Sequence, residues 1–404
     1  MIEHIALDTI ASQTKRTSKK IGFETRKQLT LASAHAFNDI YTAFIAPLTP
    51  ILIERLSLLN VEAGFFLIFL QWPSLLQPII GHFADRHNLK RYAIWAPAVT
   101  GIMMSMLGIA QSYLTVAILL VLAGLSSAVL HAIGPAIVGS LSEKKLGRAM
   151  SIWMVNGELG PMLGPILVTS VVTLFSPAAT PWLIIIGITG SIALSRMLRN
   201  MPYTKSIDQG KKVGVPFKAI TRVLLPLAGI ILARSLLRAS AEFFLPVYLT
   251  ERGSSLWLAG SALTIQAAFG ILGTILGGLL NDRIGSKVVM FTSLIGSSLF
   301  MFIFLSSSGF AQVASLAFMG ACSMMILPVG MAVVQEHFPQ NRSLANGFYL
   351  ALLFAGSALA SVIMGVLIDA MGTQQAFSWG ILACFLGIPF VFWLPGKPNE
   401  QEQT

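Results

Sequence analysis

The sequence has 404 residues, of which 55% are hydrophobic and only 11% are charged, and its mean hydropathy is +0.75. Soluble domains carry roughly 25% charged residues, so this composition excludes a soluble globular protein and indicates an integral membrane protein. The formal net charge is +10, but the basic residues lie in short segments between apolar runs. That distribution is typical of a membrane protein, and it argues against a nucleic-acid partner.

The first 27 residues are polar and basic, and they lack the apolar core of a cleavable signal peptide. We therefore expect residues 1–27 to form a cytoplasmic tail. Twelve apolar runs follow, and each is long enough to span a bilayer, which takes about 20 helical residues. Their approximate limits are 28–53, 61–83, 91–111, 113–141, 147–175, 181–199, 219–249, 256–280, 287–307, 309–335, 342–369 and 373–395. The predicted fold class is thus all-α, with twelve transmembrane helices.

The charges in the connections predict the orientation of these helices. Odd-numbered connections contain Arg55 and Arg252 as their only basic residues, whereas the even-numbered connections are rich in lysine and arginine. The positive-inside rule then predicts that both termini face the cytoplasm. The expected location is the inner membrane. The basic connection 200–218 divides the chain into an N-terminal six-helix bundle, 28–199, and a C-terminal six-helix bundle, 219–395, followed by a cytoplasmic tail, 396–404.

A motif repeats at the same place in each half. "GHFADRHNLKR", residues 81–91, follows the second run, and "GLLNDRIGSK", residues 278–287, follows the eighth; a related "GVLIDAMG", residues 365–372, follows the eleventh. Two pseudo-symmetric six-helix bundles related by a parallel repeat are the architecture of major facilitator transporters, whose substrate site lies near the midplane. The sequence resembles that superfamily, in which this motif acts as a conformational latch. The residues that match it are Gly81, Asp85, Arg86, Arg91, Gly278, Asp282 and Arg283.

Helix five carries "GELGPMLGP", residues 157–165. It resembles a signature of proton-driven exporters, and the alternative is ordinary close packing through small residues. The matching residues of this helix-packing motif are Gly157, Gly160, Pro161 and Gly164. Three further stretches, "SAHAFNDIYTAFIAPLTPIL", "SSAVLHAIGPAIVGSLSEKKLGRAMSIW" and "VVQEHFPQNRSLANG", resemble the fosmidomycin-resistance group of exporters. Two positions depart from related exporters: Leu120 stands where many have arginine, and Glu158 stands where an uncharged residue is usual.

Ionisable side chains at bilayer depth cost at least about 2.5 kcal/mol and are usually functional. "HAFNDIY", residues 35–41, places His35, Asn38 and Asp39 together on helix one. Asp39 can take up and release a proton, and His35 lies one turn away to share it. Glu158 on helix five is the second proton candidate, so the predicted coupling residues are Asp39, Glu158 and His35. The alternative for helix one is a structural network that fixes it against helix five.

Helix seven carries Arg234, Arg238 and Glu242 at a spacing that places them on one face. Glu242 cannot neutralise both arginines, so one guanidinium is expected to bind an anionic group of the substrate. The alternative is that the arginines pair with Asp39 and Glu158 across the cavity. The predicted substrate-binding residues are Asn38, His131, Arg234, Arg238, Glu242, Gln71 and Gln266.

No nucleotide-binding loop, metal-ligand spacing or paired nucleophile and base is evident, so no cofactor, no metal and no enzymatic activity are expected. The favoured function is proton-coupled export of a small amphipathic or anionic compound, such as an antibiotic or a metallophore. The alternatives are import by symport and a sensor or assembly protein that has lost transport. The expected partners are protons, a small-molecule substrate and the lipid bilayer, and the expected state is a monomer.

Overall fold

The part of the chain that the structure describes forms twelve helices long and apolar enough to cross a membrane. The structure is a computed structural model that describes residues 28–87, 89–140, 146–199, 217–338 and 342–396, and within these ranges no strand is formed. The helices long and apolar enough to cross a membrane are α1 (Gln28–Leu56), α2 (Asn60–Gly81), α3 (Lys90–Ile109), α4 (Tyr113–Pro135), α5 (Ile152–Leu174), α6 (Pro177–Met197), α7 (Thr221–Phe243), α8 (Leu256–Ile284), α9 (Ser286–Ser306), α10 (Gly309–His337), α11 (Gly347–Met371) and α12 (Thr373–Trp393). Each coincides with one of the predicted runs, so the predicted fold class is confirmed.

Several helices extend beyond these apolar spans or change conformation inside them. The helical segments that contain α4, α5 and α11 cover Tyr113–Ser140, Leu146–Leu174 and Arg342–Met371. Within α2, a 3₁₀ segment, Trp72–Leu76, separates the α-helical parts Asn60–Gln71 and Gln77–Arg86, the second of which extends beyond the span. The span α2 is therefore not one uninterrupted α-helix.

Proline accounts for the break in α1. The chain forms a turn at Ala43 and Phe44, four residues beyond Asp39, before the helix resumes at Ile45–Leu56. Pro47 has no N–H to donate to the carbonyl of Ala43, so the helical hydrogen-bond ladder cannot continue there. The polar residues of α1 therefore lie immediately before a kink.

Helix α7 ends differently from the predicted run 219–249. Its α-helical part is followed by a π-helical turn, Ala239–Phe243, and then by a separate short helix, Leu245–Glu251. The short helix begins at a residue followed by Pro246, which favours a helix start because it lacks an N–H. Short π segments occur often at functional sites, and this one contains Glu242.

We name α1–α6 the N-terminal half and α7–α12 the C-terminal half, after the predicted bundles. Among the described residues, α3 packs on α4 and α6 within the first half, and α10 packs on α8 and α9 within the second. The two halves meet along α2 with α11 and along α5 with α8. Residues 1–27, nearly all of the predicted linker 200–218 and most of the predicted tail 396–404 lie outside the described residues.

The contacts between the halves are close at the end that carries the connections α1–α2, α5–α6 and α7–α8. We call this end the outer end, since the loop charges predict that it faces away from the cytoplasm. A Cβ added at Gly64 would lie 2.6 Å from the Ser361 carbonyl oxygen, and one added at Gly365 would lie 2.4 Å from that of Asn60. The Ser361 hydroxyl donates to the Gly64 carbonyl at 2.8 Å. The α2–α11 seam is thus built from backbone and small residues.

Candidate functional site

Two histidines and an aspartate from α1 and α4 meet at one point. His35 Nε2 lies 3.1 Å from Asp39 Oδ2, and His131 Nε2 lies 3.6 Å from Asp39 Oδ1. The two Nε2 atoms are 3.1 Å apart. Ligand atoms of all three side chains fall within 4.8 Å of one another, and this is the group of residues, among those described, that could hold a metal ion. We call these residues the His-Asp cluster.

Backbone carbonyls fix the orientation of both imidazole rings. His35 Nδ1 lies 2.9 Å from the Trp153 carbonyl oxygen, and His131 Nδ1 lies 2.9 Å from the Ser127 carbonyl oxygen. A carbonyl oxygen only accepts, so in the tautomer in which each Nδ1 donates to its carbonyl, each neutral ring keeps a lone pair on Nε2. Two such lone pairs repel each other at 3.1 Å. In that tautomer a proton or a metal ion between the two rings removes the repulsion; when His131 Nδ1 instead accepts from the Ser127 hydroxyl, at 3.2 Å, its Nε2–H donates to His35.

Asn38 is enclosed in this arrangement, and its assignment as a substrate contact stays a prediction. Its side chain is completely buried, and its amide donates to Asp39 Oδ1 at 2.8 Å and to Ser127 Oγ at 2.9 Å. Its carbonyl oxygen accepts from Thr100 Oγ1 at 2.9 Å. Successive residues of an α-helix are rotated by about 100°, so Asn38 faces α3 and α4 while Asp39 faces the cluster. Asn38 therefore stabilises the His-Asp cluster from the side that faces α3 and α4.

The glycines of α5 allow it to approach α1 at the cluster. A Cβ at Gly157 would lie 2.4 Å from the His35 ring, and a Cβ at Gly160 would lie 2.4 Å from the Asp39 backbone. Gly164 is equally close to the Ile40 carbonyl oxygen, at 2.3 Å. His35 also stacks on the indole of Trp153, with ring centroids 4.2 Å apart. The helix-packing motif, in which Pro161 is exposed on the same helix, therefore holds the cluster in place.

The arginines of α7 are not equivalent. Arg234 is 5% exposed, and its guanidinium donates to the Ser323 carbonyl at 2.6 Å and to the Ser323 hydroxyl at 3.0 Å. Arg238 donates through Nε to both carboxylate oxygens of Glu242, at 2.8 and 2.7 Å, and both side chains are about 30% exposed. The two terminal nitrogens of the Arg238 guanidinium, Nη1 and Nη2, form no hydrogen bond with the described residues. Arg238 is therefore the arginine with nitrogens available to bind a ligand, whereas Arg234 is hydrogen-bonded to α10 through Ser323.

Glu158 is the acidic side chain of this region without a bonded partner. Asp39 is bonded within the His-Asp cluster and Glu242 is bonded to Arg238, whereas the carboxylate of Glu158 forms no hydrogen bond or ion pair with the residues that the structure describes. It lies within electrostatic range of Arg238, Glu242, Asp39 and His35. The alternative arrangement, in which the arginines pair with Asp39 and Glu158, is not seen among the described residues.

The two predicted glutamines lie in the packed parts of their helices. Gln266 is 4% exposed, and its Oε1 is enclosed without a hydrogen-bond partner, as is Oε1 of Gln71. The helix of Gln266 packs directly on Gly320 of α10. Both carbonyl groups are available to a donor that reaches them, so their assignment as substrate contacts stays a prediction.

The predicted latch motif is only partly visible. The side chains of Asp85 and Arg86 lie outside the described residues, while Arg91, Asp282 and Arg283 are exposed and form no ion pair with the side chains described. No close helix contact is formed at Gly81 or at Gly278, because a Cβ added at either would meet nothing within 4 Å among the described residues. The physical reason is that the described contacts between the halves concentrate at the outer end, away from this motif.

Three residues of the site could not be found by searching for ionisable groups. Trp153 acts through its carbonyl and its ring, Ser323 binds Arg234, and Ser127 lies one turn before His131. The i, i+4 spacing of Ser127 and His131 was the one available signal, since a helix brings such pairs together.

Comparison with known proteins gives the family. A model of the Major Facilitator Superfamily matches residues 31–278 and 227–404. The chain is 23% identical over 384 residues to the fosmidomycin resistance protein of Escherichia coli strain K12, covering 92% of this chain and 93% of that protein. It is 26% identical over 380 residues to YfnC, an uncharacterized MFS-type transporter of Bacillus subtilis strain 168, covering 91% and 92% respectively.

The fold is shared with solved transporters. A bacterial homologue of the human lysosomal transporter Spinster, in an inward-facing and occupied conformation, superposes with a TM-score of 0.77 at 15% identity, covering 92% of this chain and 96% of that one. The family match extends over nearly the whole chain, and it agrees with the twelve helices described above. The chain therefore belongs to the Major Facilitator Superfamily and is a multi-pass membrane transporter rather than an enzyme.

Proposed function

We propose that this transporter exports a small amphipathic or anionic compound in exchange for protons. Two observations support export: the likeness to a fosmidomycin resistance protein over 92% of the chain, and the glycine motif of α5, which resembles that of proton-driven exporters. The basic connections support an orientation with both termini in the cytoplasm. We further propose that the protein works as a monomer in the inner membrane.

The observation that carries proton coupling is the unpaired carboxylate of Glu158. A charged group in the membrane core is costly unless it is paired, and Glu158 has no bonded partner among the described residues. A carboxylate in this position gains more from a proton than one that is already bonded. Asp39 with His35 is the other predicted coupling site, but its carboxylate is held by two histidines and by Asn38. We therefore assign the coupling proton to Glu158.

The observation that supports an anionic substrate is that Nη1 and Nη2 of Arg238 have no hydrogen-bond partner among the described residues. Glu242 occupies only the Nε side of the guanidinium, which leaves the two outer nitrogens for a planar or tetrahedral anion. Glu158 lies within electrostatic range of the same arginine. Protonation of Glu158 removes a competing negative charge beside Arg238 and so favours the binding of an anion. Substrate and proton are then linked through one arginine.

Fosmidomycin, the compound named by the relative, gives the direct test. An efflux-deficient host that expresses the wild type should grow at higher fosmidomycin concentrations than the same host with Glu158→Gln or Arg238→Ala. Glu62→Gln, an acidic residue of the α2 N-terminus away from the site, is the matched control and should retain resistance. Wild-type sensitivity equal to that of the empty host would reject this substrate and the proposal that rests on the likeness.

Vesicle measurements separate the remaining alternatives. In inside-out vesicles with an acidic interior, addition of fosmidomycin should release protons if the protein exchanges the two. Proton movement in the same direction as the compound would indicate import by symport. The absence of both movements in the presence of a correctly folded protein would indicate a sensor or assembly protein.

A further inference from the structure

We propose that His35, Asp39 and His131 form a binding site for a divalent transition-metal ion of the Zn²⁺ type, with one coordination position left open for a ligand from the transported compound. The sequence spacing does not reveal this site, because His131 comes from a different helix than the other two residues. The metal site itself does not depend on the proposed export activity. Only the open position for a ligand from the transported compound rests on that proposed function.

The distances in the cluster agree with the edges of a tetrahedral site. Zinc binds histidine nitrogen and carboxylate oxygen at about 2.0–2.2 Å, which places neighbouring tetrahedral ligands about 3.3–3.6 Å apart. The His35 and His131 Nε2 atoms are 3.1 Å apart. Oδ2 of Asp39 lies 3.1 Å from the nitrogen of His35, and Oδ1 of Asp39 lies 3.6 Å from the nitrogen of His131. Small movements of the side chains would bring all three donors onto one ion.

The outer hydrogen bonds match those of a metal site. Histidine ligands usually donate their second ring N–H to a carbonyl or carboxylate, which leaves the other nitrogen free for the metal. The Nδ1 atoms of His35 and His131 both lie 2.9 Å from backbone carbonyl oxygens. The Asp39 carboxylate in turn accepts from Asn38 at 2.8 Å. All three donors are thus oriented before an ion arrives.

The composition of the cluster selects the class of ion. Two imidazoles and one carboxylate suit zinc, copper, iron or nickel, whereas magnesium and calcium prefer oxygen ligands alone. An ion between the two Nε2 atoms also removes the repulsion between their lone pairs. The negative charge of Asp39 compensates part of the positive charge of the ion. The same charge in the membrane core would otherwise be costly.

The exposure of the cluster indicates an open position. The side chain of His35 is 7% exposed, but those of Asp39 and His131 are 17% and 27% exposed. Sites with three protein ligands keep a further position for water or substrate. A compound with a chelating group, such as a hydroxamate, would fill that position and be recognised through the ion. This assigns the transported compound to the chelating class.

Metal binding can be measured without transport. The full chain would be purified in detergent without a polyhistidine tag, stripped with EDTA and titrated with Co²⁺, whose visible absorption reports four-coordinate sites. We expect one Co²⁺ per chain, displaced by Zn²⁺. His131→Gln and Asp39→Asn should each weaken binding at least tenfold, since even changes outside the coordinating atoms cost 10–100-fold.

Two controls make the result specific. His337→Gln removes a histidine that is bonded to backbone carbonyls at 2.8 and 3.1 Å elsewhere in the chain, and it should bind Co²⁺ as the wild type does. Glu158→Gln should also keep Co²⁺ binding, even where it abolishes proton-coupled transport, so the two proposals fail separately. Thermal unfolding checks each variant, and Asp39→Asn, which keeps the side-chain size, decides if His131→Gln is unstable.

The contradicting outcomes are clear-cut. If the wild type bound Co²⁺ no more tightly than Asp39→Asn, or if His337→Gln lost as much Co²⁺ affinity as the cluster variants, the metal site would be contradicted. A shared proton and not a metal would then hold the two rings together. Addition of acetohydroxamate to the Co²⁺ form tests the open position. A shift of the absorption bands is expected, and unchanged bands at saturating acetohydroxamate would overturn the assignment of a chelating compound.

Discussion

Asp369 at the end of α11 caps the first residues of α2, which begins at Asn60 in the other half of the molecule. Its carboxylate accepts from the Asn60 backbone N–H at 2.9 Å, from the Asn60 side chain at 2.9 Å and from the Val61 N–H at 2.8 Å. A carboxylate at a helix N-terminus satisfies unpaired N–H groups and interacts favourably with the helix dipole. The third copy of the repeated motif, residues 365–372, therefore joins the two halves at the outer end.

Replacement of Asp369 by alanine is expected to favour opening of the outer end. Exposed hydrogen bonds of this kind contribute about 1 kcal/mol in total, which corresponds to a roughly fivefold change in the population of the open state. Spin labels at Gln111 and Ser308, exposed positions on the two halves at that end, would report the change as a longer distance. Asn60→Ala leaves the two backbone hydrogen bonds in place and should shift the population less. Equal distances in Asp369→Ala and the wild type would remove this cap from the conformational equilibrium.

Glu158→Gln is expected to separate exchange from coupled transport. Glutamine keeps the size of the side chain but cannot carry the proton, so uphill transport should be lost while exchange of substrate across the membrane continues. Proteoliposomes loaded with unlabelled compound and supplied with labelled compound would measure the exchange, and a pH gradient would measure the coupling. Loss of both activities to the same degree would make Glu158 a ligand or a structural support.

Arg238→Lys and Arg234→Lys are expected to fail for different reasons. Lysine lacks the planar fork, so Arg238→Lys should weaken the binding of an anionic compound by about 1.5–3 kcal/mol, or roughly tenfold to a hundredfold. Arg234 is buried against Ser323, so its replacement should lower the thermal stability with a smaller effect on binding. Affinity measurements and thermal unfolding on both variants provide the comparison. Unchanged affinity in Arg238→Lys would favour a neutral or cationic compound.

Gly160→Ala is expected to destabilise the contact between α1 and α5. The added methyl group would lie 2.4 Å from backbone and side-chain atoms of Asp39, and overpacking of this kind costs about 1–3 kcal/mol. Gly347→Ala is the matched control, because nothing lies within 4 Å of its Cβ position and alanine is about 1 kcal/mol better than glycine in a helix. The melting temperature should therefore fall in Gly160→Ala and rise in Gly347→Ala. A melting temperature for Gly160→Ala at or above that of the wild type would contradict the close packing.

The orientation can be tested by labelling from outside. Single cysteines at Gln111 and Ser308 should react with an impermeant reagent in intact cells, and a cysteine at Lys211 should not, since the basic connection is expected in the cytoplasm. Both outer positions are exposed, so accessibility follows from topology alone. Reaction at position 211 in intact cells would invert the predicted topology.

The helices could be predicted because membrane insertion imposes a local rule. A span needs about 20 apolar residues that satisfy their own backbone hydrogen bonds, and this requirement is written into each segment independently. The π turn at Ala239–Phe243 and the turn at Ala43 could not be predicted in the same way. They depend on how each helix end packs against its neighbours as well as on the prolines nearby.

The candidate site could be predicted only residue by residue. The ionisable side chains of α1, α4, α5 and α7 are visible in the sequence because charge is rare in apolar runs. Their partners are not, since the 3.1 Å contact of His35 with His131 joins positions 96 residues apart. The burial of Asn38 could not be predicted for a related reason: residues i+3 and i+4 share a helix face only approximately, and the neighbouring helices decide which of the two is enclosed.

The seam between α2 and α11 has a further consequence for the rate of the transport cycle. Side chains that interlock must choose one rotamer each time two surfaces meet, and that ordering costs up to about 2 kcal/mol for a long side chain. Gly64, Gly365 and Ser361 have almost no rotamers to lose, and they meet backbone atoms that are already fixed in helices. The seam can therefore form and part with little change in side-chain entropy. A surface of this kind adds little side-chain entropy to the free-energy difference between the closed and open states.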